Sequence, residues 1–380
     1  MVDNIYFHHS PFEKIKFNIG DFIIDKYINL GRFGHYHFAS RKKNPRVYFL
    51  KIFKKSIILE CNKKDILYHE IELYKKFQET DFLPTIIGIT TNDPKYLGFL
   101  FDYIPGGTFR NLLIKQKSFS LEESKFYFAQ MLNILTYFHN NNYIYRDLKP
   151  ENILIKINGY LTLLDISLIK QIKNKELTYT LCGTPNYLSP EMILNQGYNK
   201  SIDIWAMGVI LYEMLVGIDP FHSHDPILVY QNIITNKLKF PKIFDKDAKS
   251  LIKKILNPNP NKRLGCLRRG VRDIKEHRLF NDFNWKNIEE SITEAPFIPK
   301  LNDCYDLDYY IEDKSNKKIF EIFEKKKEIQ EKEKNEREIE KEKLPRKKKD
   351  KKIDIEGIEI IDSDTEGKEI DPDEDPFLKW

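Results

Sequence analysis

The sequence predicts an α+β protein of two lobes, a small β-rich one carrying one major helix and a larger, mainly helical one, followed by a charged tail. Three observations carry this. Short apolar runs of strand length fill Phe22 to Phe101, among them Val47-Tyr48-Phe49-Leu50 and Tyr96-Leu97-Gly98-Phe99-Leu100-Phe101. One stretch of helical spacing, Lys64 to Phe77, interrupts them. After the turn signal Pro105-Gly106-Gly107, the apolar period becomes helical in Phe126 to Phe138 and Trp205 to Leu215, and the pattern holds to about Trp285.

Composition agrees with a packed fold. Of 380 residues, 41% are hydrophobic and 13% aromatic, so the chain can bury a large core. With 62 basic and 57 acidic residues, the net charge of +5 is mixed in sign and gives no support for nucleic-acid binding. Cys61, Cys182, Cys266 and Cys304 are far apart, without zinc or redox pairing, which suits a reducing compartment. His8 and His9 lack further ligands and read as surface residues. The start, MVDNIYFHHSPFEKIKF, lacks the apolar core of a signal peptide, and no run approaches the roughly 18 apolar residues of a membrane span. A soluble cytoplasmic protein is expected. Beyond Asp313 the chain is rich in Glu and Lys. Pairs such as Glu321 with Lys325 and Glu328 with Lys332 suit a solvated helix, and disorder is an equal alternative. Arg346-Lys347-Lys348-Lys349 is a candidate nuclear-import or anion-binding patch, and a solvated spacer otherwise. No internal repeats are visible.

The chemistry concentrates in Tyr145-Arg146-Asp147-Leu148-Lys149-Pro150-Glu151-Asn152-Ile153-Leu154, followed by Leu163-Leu164-Asp165-Ile166-Ser167. Phosphoryl transfer asks for a carboxylate at the attacking hydroxyl and other oxygens to hold Mg²⁺. Asp147 is the candidate base, and Asn152 and Asp165 are the candidate metal ligands. Lys149, two residues from Asp147 on an extended loop, can face the same side and reach the γ-phosphate. The run resembles the catalytic loop of protein kinases, including the five-residue step from Asp147 to Asn152. Upstream, Tyr48-Phe49-Leu50-Lys51 sets a lysine in an apolar strand, where a cation needs an anionic partner. The resemblance implies that Lys51 contacts the α- and β-phosphates and pairs with a helix glutamate. Glu70 fits that place, with Glu72 as the rival.

Thr180-Leu181-Cys182-Gly183-Thr184-Pro185-Asn186-Tyr187-Leu188-Ser189-Pro190-Glu191 resembles an activation segment, and Asp203 to Met214 resembles the buried helix of the large lobe. Tyr145 ahead of the base, the Thr-Leu-Cys-Gly-Thr-Pro run, Arg263-Leu264-Gly265 and Glu294-Ala295-Pro296-Phe297-Ile298-Pro299 together resemble the AGC group of serine/threonine protein kinases, most closely catalytic subunits of cAMP-dependent protein kinase. The likeness covers about Ile24 to Tyr310. It implies the two-lobed protein-kinase fold, with a small antiparallel β lobe at about 22–103 and a large lobe at 104–283. An N-terminal extension at 1–21 and a tail at 284–380 flank it, the tail holding a spacer at 314–370 and a terminal motif at 375–380. It further implies Mg-ATP as cofactor and protein substrates, with a cyclic-nucleotide-binding regulatory subunit as a candidate partner. Glu191 is to pair with Arg263, and Asp203 is to brace the catalytic loop. The nucleotide site would comprise Leu30, Gly31, Arg32, Phe33, Gly34, His35, Tyr36, Lys51, Asp102 and Ile104.

The chain departs from that pattern at three places. Only Gly31 and Gly34 remain where the group carries three glycines over the phosphates. Tyr36 stands where a small β-branched residue covers the adenine, so the pocket is expected to be reshaped. Ser167 ends the metal-binding triplet in place of glycine, at a cost of about 1–2 kcal/mol if the backbone there is left-handed. These departures keep a pseudokinase scaffold as the alternative to an active enzyme.

Thr180 is the expected activating phosphosite, with Arg146 and Lys170 to receive its phosphate. Glu151 and Glu213 match carboxylates that receive an arginine two residues before the target hydroxyl, whereas Thr108 replaces the glutamate serving the arginine three before it. Basic substrates with looser selection are expected. Leu181, Pro185 and Leu188 match the apolar pocket for the residue after the target. Finally, Asp375-Pro376-Phe377-Leu378-Lys379-Trp380 resembles the group's C-terminal hydrophobic motif and is expected to dock beside the Lys64 to Phe77 helix.

Overall fold

Strand alternation and aromatic content build the first lobe. In the computed structural model, which describes residues 17–30, 34–42, 44–60, 64–173, 176–301 and 309–310, five antiparallel strands lie in the order β1-β2-β3-β5-β4. They are β1 (Phe22–Leu30), β2 (His35–Arg41), β3 (Asn44–Lys54), β4 (Ile86–Thr90) and β5 (Tyr96–Asp102). Tyr36, Phe38, Phe49, Phe53, Phe99 and Phe101 bury one aromatic face, as β-favouring side chains do on a half-covered sheet. Two helices follow β3. The expected one is α2 (Lys64–Lys76), whose buried residues Leu67, Glu70, Ile71 and Tyr74 share a face at the helical period. The other, α1 (Lys55–Glu60), lies where the sequence analysis placed no helix. It continues directly from β3 and buries Ile58.

The second lobe is helical around α6 (Ser201–Val216), in which every residue from Ser201 to Met214 is buried. Before it come α3 (Phe109–Gln116), α4 (Leu121–Asn140) and α5 (Pro190–Ile193). After it come α7 (Pro226–Ile234), α8 (Lys246–Ile255), α9 (Arg272–Lys275) and α10 (Trp285–Glu289). Ser120 caps α4 through a reciprocal bond with Glu123, and Gly217, at φ 90°, ends α6. Two small antiparallel pairs hold the intervening loops: β6 (Tyr143–Ile144) with β9 (Lys170–Gln171), and β7 (Ile153–Ile155) with β8 (Leu161–Leu163). No helix among the described residues is long and apolar enough to cross a membrane.

Residues 295–301 and 309–310 run against both lobes in recesses made by glycines. A Cβ on Gly106 would lie 2.3 Å from the Ile155 carbonyl oxygen and 2.8 Å from Pro299. On Gly107, at φ +80°, it would lie 2.3 Å from the Tyr309 oxygen, and on Gly159 2.2 Å from that of Phe297. Tyr310 then packs on Phe38, Phe49 and Tyr103, with ring centroids 5.0, 5.8 and 6.1 Å away, and donates its hydroxyl to the Ile104 carbonyl. Gly31, Arg32 and Phe33, as well as His8, His9, Cys61, Cys304, the spacer 314–370 and the terminal motif 375–380, lie outside the described residues.

Candidate active site

The alternation of β3 puts Phe49, Lys51 and Phe53 on one buried face, so the lysine must find its counter-charge there. Its Nζ lies 2.7 Å from Glu70 Oε1 and 3.2 Å from Asp165 Oδ1, and 4.9 Å from the centre of the Tyr36 ring. Burial pulls the Lys51 ammonium towards deprotonation, but Asp165 and Glu70 outweigh it and raise its pKa. Glu70 is buried because it occupies a position in the apolar stripe of α2. Burial raises its pKa to about 7 against the pull of Lys51, and its Oε2 has no hydrogen-bond partner among the described residues. Glu72, the rival, is exposed and pairs with Lys75 at 2.7 Å. Asp165 is held below the usual carboxylate range: burial would raise it, but Lys51 and the Ser167 hydrogen bonds prevail.

The loop carrying Asp147 is set from α6. Asp203 accepts the backbone N–H groups of Tyr145 and Arg146, each at 2.9 Å, and meets His139 Nε2 at 2.8 Å. This holds Arg146 at φ 72°, an uncommon value for a non-glycine residue. The Tyr145 hydroxyl donates to the Asp165 carbonyl at 2.6 Å, tying the two acidic segments together. Asp147 itself accepts from Asn152 Nδ2 at 2.7 Å and from Thr184 Oγ1 at 3.3 Å, with Lys149 Nζ 3.5 Å away. Lys149 also donates to Thr184 Oγ1 at 2.8 Å. Burial, reinforced by Asp165, raises Asp147 to about 6.

Ser167 is absent from the positive-φ residues, so the strain foreseen for a side chain there does not arise. Gly34 is required by its own sheet, since a Cβ would lie 2.7 Å from Phe53 and 2.8 Å from the Ile52 oxygen. Beside it in β2, His35 is partly buried, and burial together with His37 and Lys54 lowers its pKa. Of Leu30, only the strand backbone, paired with His35, is described. Asp102 forms an ion pair with Arg46 at 2.7 Å, and the Ile104 carbonyl is taken by Tyr310. Tyr36 is fully covered and crosses between the lobes, donating its hydroxyl to the Leu164 carbonyl at 3.1 Å. Tyr74 of α2 reaches the same oxygen at 3.2 Å.

Further along, Thr180 is exposed. Tyr198 donates to its carbonyl at 2.5 Å and in turn receives Arg146 Nη1 at 3.5 Å, while Lys170 donates to Thr178 Oγ1 at 2.9 Å. Leu188 is buried, Pro185 is half-buried, and Leu181 is exposed. Arg263 grips Glu191 with two bonds, at 2.7 and 2.9 Å, both side chains being buried. Thr108 caps α3 by accepting from the Asn111 N–H at 3.1 Å. Glu151 and Glu213 lie side by side, yet both accept from Arg110 of this same chain, at 2.8 and 2.5 Å. The sequence alone carried no notice of this engagement by Arg110, nor of the crossings by Tyr36 and Tyr74 or the docking of Tyr310. The one available signal was an arginine among Phe109, Leu112 and Leu113 at the buried start of α3.

Comparison with known proteins agrees with this geometry. A family profile described as "Protein kinase domain" matches residues 22–280. A cAMP-dependent protein kinase catalytic subunit of Arthrobotrys oligospora is 36% identical over 289 residues, 76% of this chain and 55% of that one. cAMP-dependent protein kinase type 3 of Saccharomyces cerevisiae is 36% identical over 307 residues, 79% of this chain and 76% of that one. The cAMP-dependent protein kinase catalytic subunit of Dictyostelium discoideum is 36% identical over 276 residues, 72% of this chain and 42% of that one. The chain thus spans about half the length of the first and third of these relatives.

Proposed function

This chain belongs to the protein kinase family, and on that premise we propose that it transfers the γ-phosphoryl group of ATP to serine and threonine hydroxyls of proteins. The observation that carries the proposal is the buried ammonium of Lys51 held between Glu70 and Asp165, beside an Asp147–Asn152 pair whose acid is raised to about 6. The carboxylates of Asp165 and Asp147 and the side-chain amide of Asn152 supply oxygen donors of the kind a magnesium ion takes. No three His, Cys, Asp or Glu side chains among the described residues converge to hold a metal alone, which is the usual case for a magnesium shared with phosphates. Asp165 and Asn152 would hold the cation, and Lys51 the α- and β-phosphates. When bound, Mg-ATP supplies the phosphoryl group and the charge that neutralises its oxygens. At neutral pH Asp147 is largely ionised and basic enough to take the proton of the substrate hydroxyl. Lys149, anchored on Thr184, stands where it can neutralise charge developing beside that proton transfer.

The alternative, a pseudokinase scaffold, is favoured by one observation: Tyr36 fills space between the lobes and is anchored on the Leu164 carbonyl. Transfer of labelled γ-phosphate to a peptide with Mg²⁺ separates the two readings. Wild type is expected to exceed Asp147→Asn by at least about 100-fold, and a wild type no faster than that variant overturns the enzyme reading.

Three further assignments belong to the same proposal. A phosphate on exposed Thr180 would be drawn towards Arg146 and Lys170. An upstream arginine of the substrate would meet Glu151 and Glu213 only by displacing Arg110. A cyclic-nucleotide-binding regulatory subunit is proposed as partner on resemblance alone, and its capture from native extract should be released by cAMP.

A further inference from the structure

The second residue of α3 makes more contacts than a helix start requires. Arg110 Nε lies 2.8 Å from Glu151 Oε1, Nη1 2.5 Å from Glu213 Oε1 and Nη2 2.6 Å from the Tyr187 hydroxyl. Tyr187 closes the ring by donating to the other Glu213 oxygen at 2.8 Å. Each nitrogen of the guanidinium therefore has an acceptor, and the two acids come from elements distant in sequence, one beside the Asp147 loop and one on α6. Arg110 is 24% exposed and Glu213 6%, so the pair is largely out of water, where charge-assisted bonds are strong. Thr108 caps α3 and so sets the direction in which the helix leaves the Pro105-Gly106-Gly107 turn.

We propose that Arg110 is an in-chain stand-in for a substrate arginine, which satisfies Glu151 and Glu213 from within and directs the enzyme to peptides with an uncharged side chain two residues before the target hydroxyl. The inference rests on the kinase reading above and on the placing of that upstream side chain at Glu151 and Glu213. Its physical basis is occupancy and charge. A second guanidinium entering here would meet two acids that each already bind Arg110, Glu213 with both its oxygens committed and Glu151 with one, next to a cation that cannot lose its proton. It would also compete with a group tethered at the site, whose effective concentration no dissolved peptide matches.

The test is binding, so that it stands apart from phosphoryl transfer. Two fluorescent peptides with alanine at the target position, identical except for arginine or norleucine two residues earlier, are titrated against the full chain by anisotropy. Wild type should bind both within about twofold, and Glu151→Gln should leave that ratio in place, because Glu151 is already committed to Arg110. Arg110→Ala should shift the ratio by at least about tenfold towards arginine, and the double variant Arg110→Ala, Glu151→Gln should give up most of that gain. A wild type that prefers arginine by about tenfold or more overturns the proposal without need of any variant. So does a loss of arginine binding in Glu151→Gln, an unchanged ratio in Arg110→Ala, or failure of folded Arg110→Ala to bind the arginine peptide. The same peptides with serine at the target position report transfer separately. A chain that binds as expected but transfers nothing keeps this inference and loses the enzyme reading.

Discussion

Replacing Glu70 by glutamine should remove a pH dependence from the stability of the whole fold. The carboxyl is fully buried and its pKa rises from 4.5 to about 7, chiefly through burial and against the pull of Lys51. At about 1.4 kcal/mol for each tenfold change in proton affinity, that rise is worth about 3 kcal/mol. In the unfolded chain the group releases its proton near 4.5, whereas the folded chain keeps it to about 7, so folding takes up a proton between those values. The stabilising contribution of the protonated carboxyl is fully present below 4.5 and is lost as pH rises through about 7. Glutamine offers Lys51 Nζ an acceptor where Oε1 lies at 2.7 Å, leaves the 3.2 Å contact with Asp165 in place, and does not titrate. Asp147, raised to about 6, titrates alike in both proteins and cancels. Thermal unfolding without nucleotide, followed in steps from acid to mildly alkaline pH, should show wild type losing about 3 kcal/mol relative to Glu70→Gln across that window. For a folded body of roughly 280 residues, with about 2.1 cal/mol/K of unfolding entropy per residue, the loss corresponds to about 5 °C in Tm. Parallel curves would refute the reasoning. A wild type that gains on the variant as pH rises would also refute it, since the ion pair would then be outweighing the burial.

Arg263→Ala leaves the Glu191 carboxylate buried without its two bonds, at a cost of about 3–5 kcal/mol, seen as a lower urea midpoint. Arg263→Lys should recover little, because an ammonium cannot make the paired contact. Tyr36→Val removes the ring that crosses to Leu164, so ATP affinity measured by calorimetry should rise about tenfold while stability falls by roughly 2–4 kcal/mol. An unchanged affinity would mean the ring lies clear of the nucleotide. Asp147→Asn should abolish transfer yet keep or raise Tm at pH 8, because the ionised carboxylate is opposed by burial and by Asp165. A marked drop in Tm would place Asp147 in the structural frame instead.

The parts of this molecule that were legible in the sequence are those in which a residue conflicts with its own local pattern. Lys51 in an apolar strand demanded an anionic partner, the family resemblance pointed to Glu70, and the structure joins the two at 2.7 Å. The long helices were equally plain, because α4 carries apolar residues at helical spacing and α6 is apolar along most of its length. Periodicity reports which face is buried, but not what lies across from it. For that reason Arg110 joining Glu151 and Glu213, and Tyr36 reaching Leu164, could not be read, since each contact closes a long loop whose ends carry no mutual signal. Ser167 illustrates the converse. The strain inferred from a lost glycine depended on a backbone conformation that this chain does not adopt there.

The slots at Gly106, Gly107 and Gly159 set how much chain is needed for a closed core. They are cut to backbone depth in one stretch of sequence to admit another, and what enters them lies past residue 280, where the family match stops. A fragment ending at that residue would keep the recesses but bare the aromatic wall of Phe38, Phe49 and Tyr103 that Tyr310 covers. It would also strip Phe283 and Trp285 from Phe280. Apolar ground of that kind is sticky in water. A fragment meant to fold in isolation should therefore be cut no earlier than Tyr310, so that the recesses keep the strap that fills them.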